Sequence, residues 1–305
     1  MSEIKPKRGP GRPPNDNKKS KEERKGVCDK PLCDGNAIEF YYTFPIIFKK
    51  IYALYKSINA NNIYIIFNTD SVTLISKSYS DQCIVRAVID CTNVHRYFCQ
   101  KRLILKMSRK NSESIINRID PKFYSSIKIV VHEYTNIVDN AVIIHYNNTL
   151  QVESIHRLNL CSTDECDIVE DWNHTLYPLD FTLERKDIKK FINDIGNISK
   201  GTMMIEKAGK YPLKFKYATE CNVVTGTEVF KNDETIKLHS DLAATEIIAT
   251  SINLADIKSI TNVQISDKTN IFVDNKKKLL MKFNMDGKTV ECKVLLAVED
   301  YQNCC

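Results

Sequence analysis

A chain of 305 residues with 43% hydrophobic content has room for two domains of ordinary size, each with its own core. No stretch approaches the roughly 18–20 consecutive apolar residues of a membrane span, and the basic, proline-rich start lacks the apolar centre of an export signal. Eleven cysteines, an odd number without a CxxC pair, read as reduced thiols of an intracellular protein. The net charge of +6 is concentrated in residues 1–30, which carry ten Lys/Arg against five Asp/Glu. The remainder is nearly neutral, so any polyanion-binding face within it must be local.

Residues 1–36 are polar with no periodic apolar face, which predicts disorder, with ordered structure starting near Ala37. Ile38–Tyr42 reads as a strand. Pro45 then suits a first helical turn, and Ile47, Phe48, Ile51, Leu54, Tyr55 and Ile58 recur at helical spacing. Lys49, Tyr52 and Lys56 share another face of that helix. Strands are predicted at Ile63–Phe67, Val72–Ser76, Cys83–Ile89 and Leu103–Met107. Ser108 can cap a helix that ends near Ile119, before Asp120-Pro121. Further strands fall at Ile127–Val131, Val142–Tyr146 and Gln151–Leu160.

Residues 161–178 are acidic, contain Trp172 and close on Pro178, the pattern of an interdomain linker. Leu179–Leu183 is the next strand. A helix with the stripe Ile188, Phe191, Ile192 and Ile195 follows, with Gly196 placed to end it. Strands are then expected at Met203–Lys207, Leu213–Tyr217, Val223–Phe230, Thr235–His239 and Glu246–Thr250, and a short helix at Leu254–Ile260. Val263–Ile265, Ile271–Val273, Leu279–Asn284 and Val290–Val298 complete the strands. The fold class is α+β with antiparallel sheets, because the strand connections are too short for crossovers. The domains expected are a basic tail (1–36), a first domain (37–160), a linker (161–178) and a second domain (179–305).

The two halves open alike. Ile38-Glu39-Phe40 with Phe48-Lys49-Lys50-Ile51 is matched, 140 to 141 residues later, by Leu179-Asp180-Phe181 with Ile188-Lys189-Lys190-Phe191. Each is an acidic-apolar strand followed by a helix with adjacent lysines. Cations recur on all four helices: Lys49, Lys50 and Lys56; Arg109, Lys110 and Arg118; Arg185, Lys186, Lys189 and Lys190; and Lys258. One such helix is an ordinary solvated face, whereas equivalent cationic helices in two repeats suit a common surface that attracts phosphates without reading bases.

In the tail, Arg8-Gly9-Pro10-Gly11-Arg12-Pro13-Pro14 resembles an AT-hook, in which an extended Gly-Arg-Pro segment enters the narrow minor groove of A·T-rich DNA. Arg8, Gly11, Arg12 and Pro13 are the candidate contacts. Pro10 stands where a full hook has arginine, and a generic basic tail or nuclear-import signal is the alternative. His156, Cys161, Cys166 and His174 have zinc-ligand chemistry but the spacing of no tight finger, so no metal site is expected. There is no GxxxxGK[ST], GxGxxG, GxSxG or HExxH, and no carboxylate cluster suited to two metals, so neither an enzyme nor a cofactor is expected.

The order strand, helix, strands, helix, strands, acidic linker, then the same again, resembles the sliding clamps related to proliferating cell nuclear antigen. Within them it is similar to the clamp-like branch of African swine fever virus and related large DNA viruses. The tail motif, Glu23-Arg24-Lys25-Gly26 with Lys30-Pro31, Pro45-Ile-Ile-Phe-Lys49 and Ile129-Val-Val-His132 carry the likeness. It implies two clamp domains with helices on one face of antiparallel sheets, in a ring that is commonly a homotrimer. The helix cations above would face the phosphates of double-stranded DNA. Gln151, Val152, Ile155, Leu158 and Leu160 would pair across the subunit interface with Val223, Val224, Val229 and Phe230. A DNA polymerase and other replication or repair proteins would dock beside the linker, at a viral replication site in the host cytoplasm or in the nucleus. The body departs from cellular clamps in being near neutral, and the linker lacks their apolar pattern. A non-ring polymerase accessory subunit and an AT-hook transcription or chromatin factor are the rival readings.

Overall fold

The computed structural model describes residues 26–119, 126–132, 141–147, 152–158, 161–163, 165–168, 170–194, 201–209, 211–219, 225–230, 236–238, 247–275, 278–285 and 289–298. The first half runs β1 (Asn36–Tyr42), α1 (Ile46–Ser57), β2 (Asn62–Phe67), β3 (Ser71–Lys77), β4 (Cys83–Asp90), β5 (Arg96–Cys99), β6 (Leu103–Ser108), α2 (Arg109–Ile116), β7 (Ser126–His132), β8 (Ala141–Asn147) and β9 (Val152–Leu158). After β10 (Cys161–Ser162) the same order returns. It comprises β11 (Leu179–Glu184), α3 (Arg185–Asp194), β12 (Gly201–Ala208), β13 (Leu213–Thr219), β14 (Thr225–Phe230), β15 (Ile236–Leu238), β16 (Ile247–Asn253), α4 (Leu254–Thr261), β17 (Lys268–Val273), β18 (Leu279–Met285) and β19 (Val290–Leu296).

The strand pairings repeat as well. β1 lies between β5 and β7 as β11 lies between β15 and β17, and β2 lies between β3 and β6 as β12 lies between β13 and β16. All of these are antiparallel. The halves join where β4 pairs with β19, Val85 opposite Val294, which makes one ten-stranded sheet of strands from both. The counterparts of those two strands, β14 and β9, are the end strands of their own sheets.

Alternation decides which face each strand buries. Ile38, Phe40 and Tyr42 point from β1 into the main core, where the Phe48 ring of α1 meets Phe40 and Tyr42 edge-on at 6.1 Å. The helices cover that inner face in one row, with α1 packed on both α2 and α4, and α4 on α3. A second core lies on the opposite face of the ten-stranded sheet. There Tyr64, Ile75, Ile84 and Ile104 receive Ile168 and Tyr177 from the linker.

Four local expectations change. Residues 26–36, expected to belong to the disordered tail, are ordered. Residues 26–28 bond along β5 (Cys28 N to Tyr97 O, 2.7 Å), and Gly26 has φ +90° where an added Cβ would strike the Thr92 carbonyl. β5 itself carried too short an apolar signal to be predicted. Val263–Ile265 is not a strand but the irregular turn that closes α4, with Ile265 buried. Tyr52 does not share the outward face of α1 with Lys49 and Lys56; it is buried, its hydroxyl 3.5 Å from the Met107 sulfur. Among the described residues no helix is long and apolar enough to cross a membrane.

Candidate nucleic-acid interface and linker pocket

On the outward side of the helix row, Lys56, Lys110, Arg118, Lys186, Lys189, Lys190 and Lys258 are exposed and Lys49 and Lys50 half-buried. α3 is the most polarised helix: Ile188, Phe191 and Ile192 turn inward while Lys186, Lys189 and Lys190 project. Some cations have partners. Lys56 lies 3.4 Å from Glu113, Lys186 lies 2.7 Å from Glu184, and the Lys50 Nζ donates to the Ile265 carbonyl at 3.4 Å, tying α1 to the end of α4. Both Glu184 and Lys186 are solvent-exposed, so that pair is screened and leaves the local field largely cationic.

Arg109 and Arg185 differ from the rest. Arg109 is 13% exposed, donates from Nε to the Ala60 carbonyl at 2.7 Å and is ion-paired with Glu113. It fastens α2 to the turn after α1 and does not project. Arg185 is half-buried, with its Nε enclosed. Helical spacing marked both as outward; the tertiary partners of Arg109 are invisible to that spacing. The tail residues Arg8, Gly11, Arg12 and Pro13 lie outside the described residues.

The end strands β9 and β14 carry the interface residues expected from the sequence. Ile155 is 58% exposed and Val229 43% exposed, each on the end strand of its sheet. Phe230 instead packs inward, its ring 4.6 Å from that of Phe215. Gln151, Leu160, Val223 and Val224 lie outside the described residues, and only the backbones of Val152 and Leu158 are described. The Tyr217 ring lies across Gly226 of β14, where a larger residue would displace it.

On the opposite face, the linker roofs a cavity of about 620 Å³. Ile66, Thr73, Ile75 and Arg86 form its floor, Cys166, Ile168 and Trp172 its roof, and Arg102, Glu165 and Glu170 its rim. Trp172 stood out in the sequence and Arg86 did not, although a single arginine inside the apolar strand Cys83–Ile89 was a usable signal. Burial pushes the Arg86 guanidinium below its ordinary pKa, against the opposing pull of Glu291. Of the four candidate zinc ligands, His156 on β9, Cys166 in the cavity roof and His174, edge-on to Phe272 at 5.1 Å, do not converge; of Cys161 only the backbone, on β10, is described. Among the described residues no group of His, Cys, Asp or Glu could hold a metal ion.

Duplicated strand-helix halves, a shared antiparallel sheet and four helices on one face define the sliding-clamp fold of the proliferating cell nuclear antigen type. The structure of proliferating cellular nuclear antigen from Entamoeba histolytica superposes with a TM-score of 0.66 over 87% of this chain and 100% of that one, at 14% identity. In sequence, the chain is a homologue of an uncharacterized protein of African swine fever virus. It is 27% identical to that protein in isolates from Kenya, Namibia and Malawi, over 92% of this chain and 94% of the relative. No family model matches the chain.

Proposed function

We propose that this chain is a DNA sliding clamp, a non-enzymatic processivity factor that closes into a homotrimeric ring on duplex DNA and tethers a viral polymerase and other replication or repair proteins. One observation carries the reading. Within the subunit, β4 of the first half pairs with β19 of the second, while their repeat counterparts β14 and β9 are, among the described residues, left as open edges. A β9 edge meeting the β14 edge of another copy would repeat that joint and remove two unpaired edges per contact. Because the joined surfaces differ, the contact is head-to-tail, and a ring is its closed form.

The row of helices would then face the hole, with Lys49, Lys50, Lys56, Lys110, Arg118, Lys186, Lys189, Lys190 and Lys258 toward phosphates, which allows binding without a fixed register. Arg109 and Arg185 would support the helices. The tail, through Arg8 and Arg12, would add salt-sensitive DNA affinity, and the linker cavity would hold partner peptides. The viral origin of the sequence relatives supports a role at a viral replication site.

The test is topological. Protein loaded on a closed circular duplex is washed at high salt, and the circle is then cut once. A ring is retained on the circle and lost from the linear form, and its solution mass is three times 35.1 kDa. Equal loss from both forms would exclude encirclement.

A further inference from the structure

The outer face of the ten-stranded sheet carries an unusual row of charge. Antiparallel register sets Ile75 beside Arg86, Arg86 beside Lys293 and Lys293 beside Lys282 on successive strands. Like charges directly opposite one another destabilise a sheet unless they are compensated. Glu291 compensates two of them, at 2.6 Å from Lys282 and 3.0 Å from Lys293, and Lys293 also donates to the Trp172 carbonyl at 3.1 Å. At the linker cavity, Glu170 is taken by Lys278.

Arg86 is left over. It is half-buried in the cavity floor, its guanidinium carbon 5.6 Å from the centre of the Trp172 ring. Among the described residues no carboxylate lies within ion-pair distance of it and no acceptor within hydrogen-bond distance. An arginine has five N–H donors in a planar fork that matches a carboxylate, and stacking on an indole holds the fork in place. Ile66, Ile75 and Ile168 provide apolar surface beside it. A volume near 620 Å³ is in the usual range for a ligand pocket.

We propose that this cavity takes a short acidic-apolar peptide, one carboxylate of which docks on Arg86 beneath Trp172 while flanking aliphatic side chains cover Ile66, Ile75 and Ile168. The proposal rests on reading the cavity as the partner-docking site of a clamp, and it assigns the chemistry of the partner. A phosphate is the alternative anion for the same fork, and the phosphoserine probe below separates it from a carboxylate.

Trp172 is the chain's single tryptophan, so its emission reports occupancy directly. The probes are a blocked decapeptide with the core Ile-Asp-Asp-Leu, its Ile-Asn-Asn-Leu twin and a phosphoserine version, titrated against the full chain at two salt concentrations. The acidic peptide gives a saturable emission change, about tenfold or more tighter than the asparagine twin and weaker at high salt. Arg86→Gln, with its melting temperature checked, removes that discrimination, and Arg86→Lys, which keeps charge but not the fork, retains part of it. Equal binding of the acidic and asparagine peptides, discrimination that survives Arg86→Gln, or tighter binding of the phosphoserine peptide would each overturn the assignment. Retention on circular DNA is read separately, so a failed ring and a failed pocket give different patterns.

Discussion

Arg96 reaches from β5 to place its Nε 3.0 Å from the Glu39 carboxylate, which is wholly enclosed on the face of β1 turned away from the helices. Glu39 also accepts from the Asn36 side chain at 2.7 Å and from the Leu32 backbone at 2.8 Å, while Arg96 holds the Lys30 carbonyl at 2.6 Å. The pair therefore staples residues 26–36 across the outside of the sheet. Burial alone would raise the Glu39 pKa, but the bonds from Asn36, Arg96, Leu32 and Cys33 together hold it below its ordinary value of 4.5. Its stabilisation is thus complete above the ordinary glutamate range and is lost as pH falls through the folded value. Glu39→Ala should cost about 3 kcal/mol in urea denaturation, since it strands a buried cation. The variant's stability should also depend less on pH below about 4.5 than the parent's. Amide exchange at Leu32 and Cys33 should rise in the same variant.

Exposed and enclosed helix cations should separate cleanly. Lys189→Glu with Lys190→Glu should weaken duplex binding and lower the slope of log affinity against log salt by about one for each phosphate no longer neutralised, with melting unchanged. Arg109→Ala should do the reverse. Its removal frees the Ala60 carbonyl and leaves Glu113 without its nearer partner, for about 2 kcal/mol of stability, with a near-normal salt slope. A variant of Arg109 that keeps full stability would contradict the structural role.

Ile155 and Val229 sit on the two open edges, and a charge on either would be buried by a second copy. Ile155→Asp and Val229→Asp should each reduce the solution mass toward 35.1 kDa while the single subunit melts as before. Unchanged mass in both would place the subunit interface elsewhere.

His174 lies edge-on to Phe272 in the linker, where burial first, then Lys282 and Lys293, push its pKa below the ordinary 6.5. A histidine depressed in the folded state is held neutral. Its contribution is intact above 6.5 and is lost as pH falls from there through the folded value. Trp172 emission should therefore show an acid transition below pH 6.5, reporting a loosened linker, which is missing from His174→Gln.

The repeat was legible because apolar periodicity is local: Phe48 and Ile51 mark α1 as Ile188 and Phe191 mark α3. What escaped depends on residues distant in the chain. The residues of the Glu39–Arg96 staple are 57 positions apart, so the ordered strap read as tail. Arg109 looked solvated because its carbonyl partner, Ala60, lies 49 positions away. Val263–Ile265 has strand propensity, yet Ile265 is needed in the core and as an acceptor for Lys50. Tertiary demand overrides a three-residue preference.

The joint between β4 and β19 also governs when the molecule can be finished. Residues 83–90 wait for residues 290–296, so the early half keeps a raw sheet margin until the second half has been made as far as β19. Such sequence-distant pairing is slow to form. Deleting β19 alone would therefore damage the first half, about 200 residues away in sequence, by leaving β4 with an adhesive border.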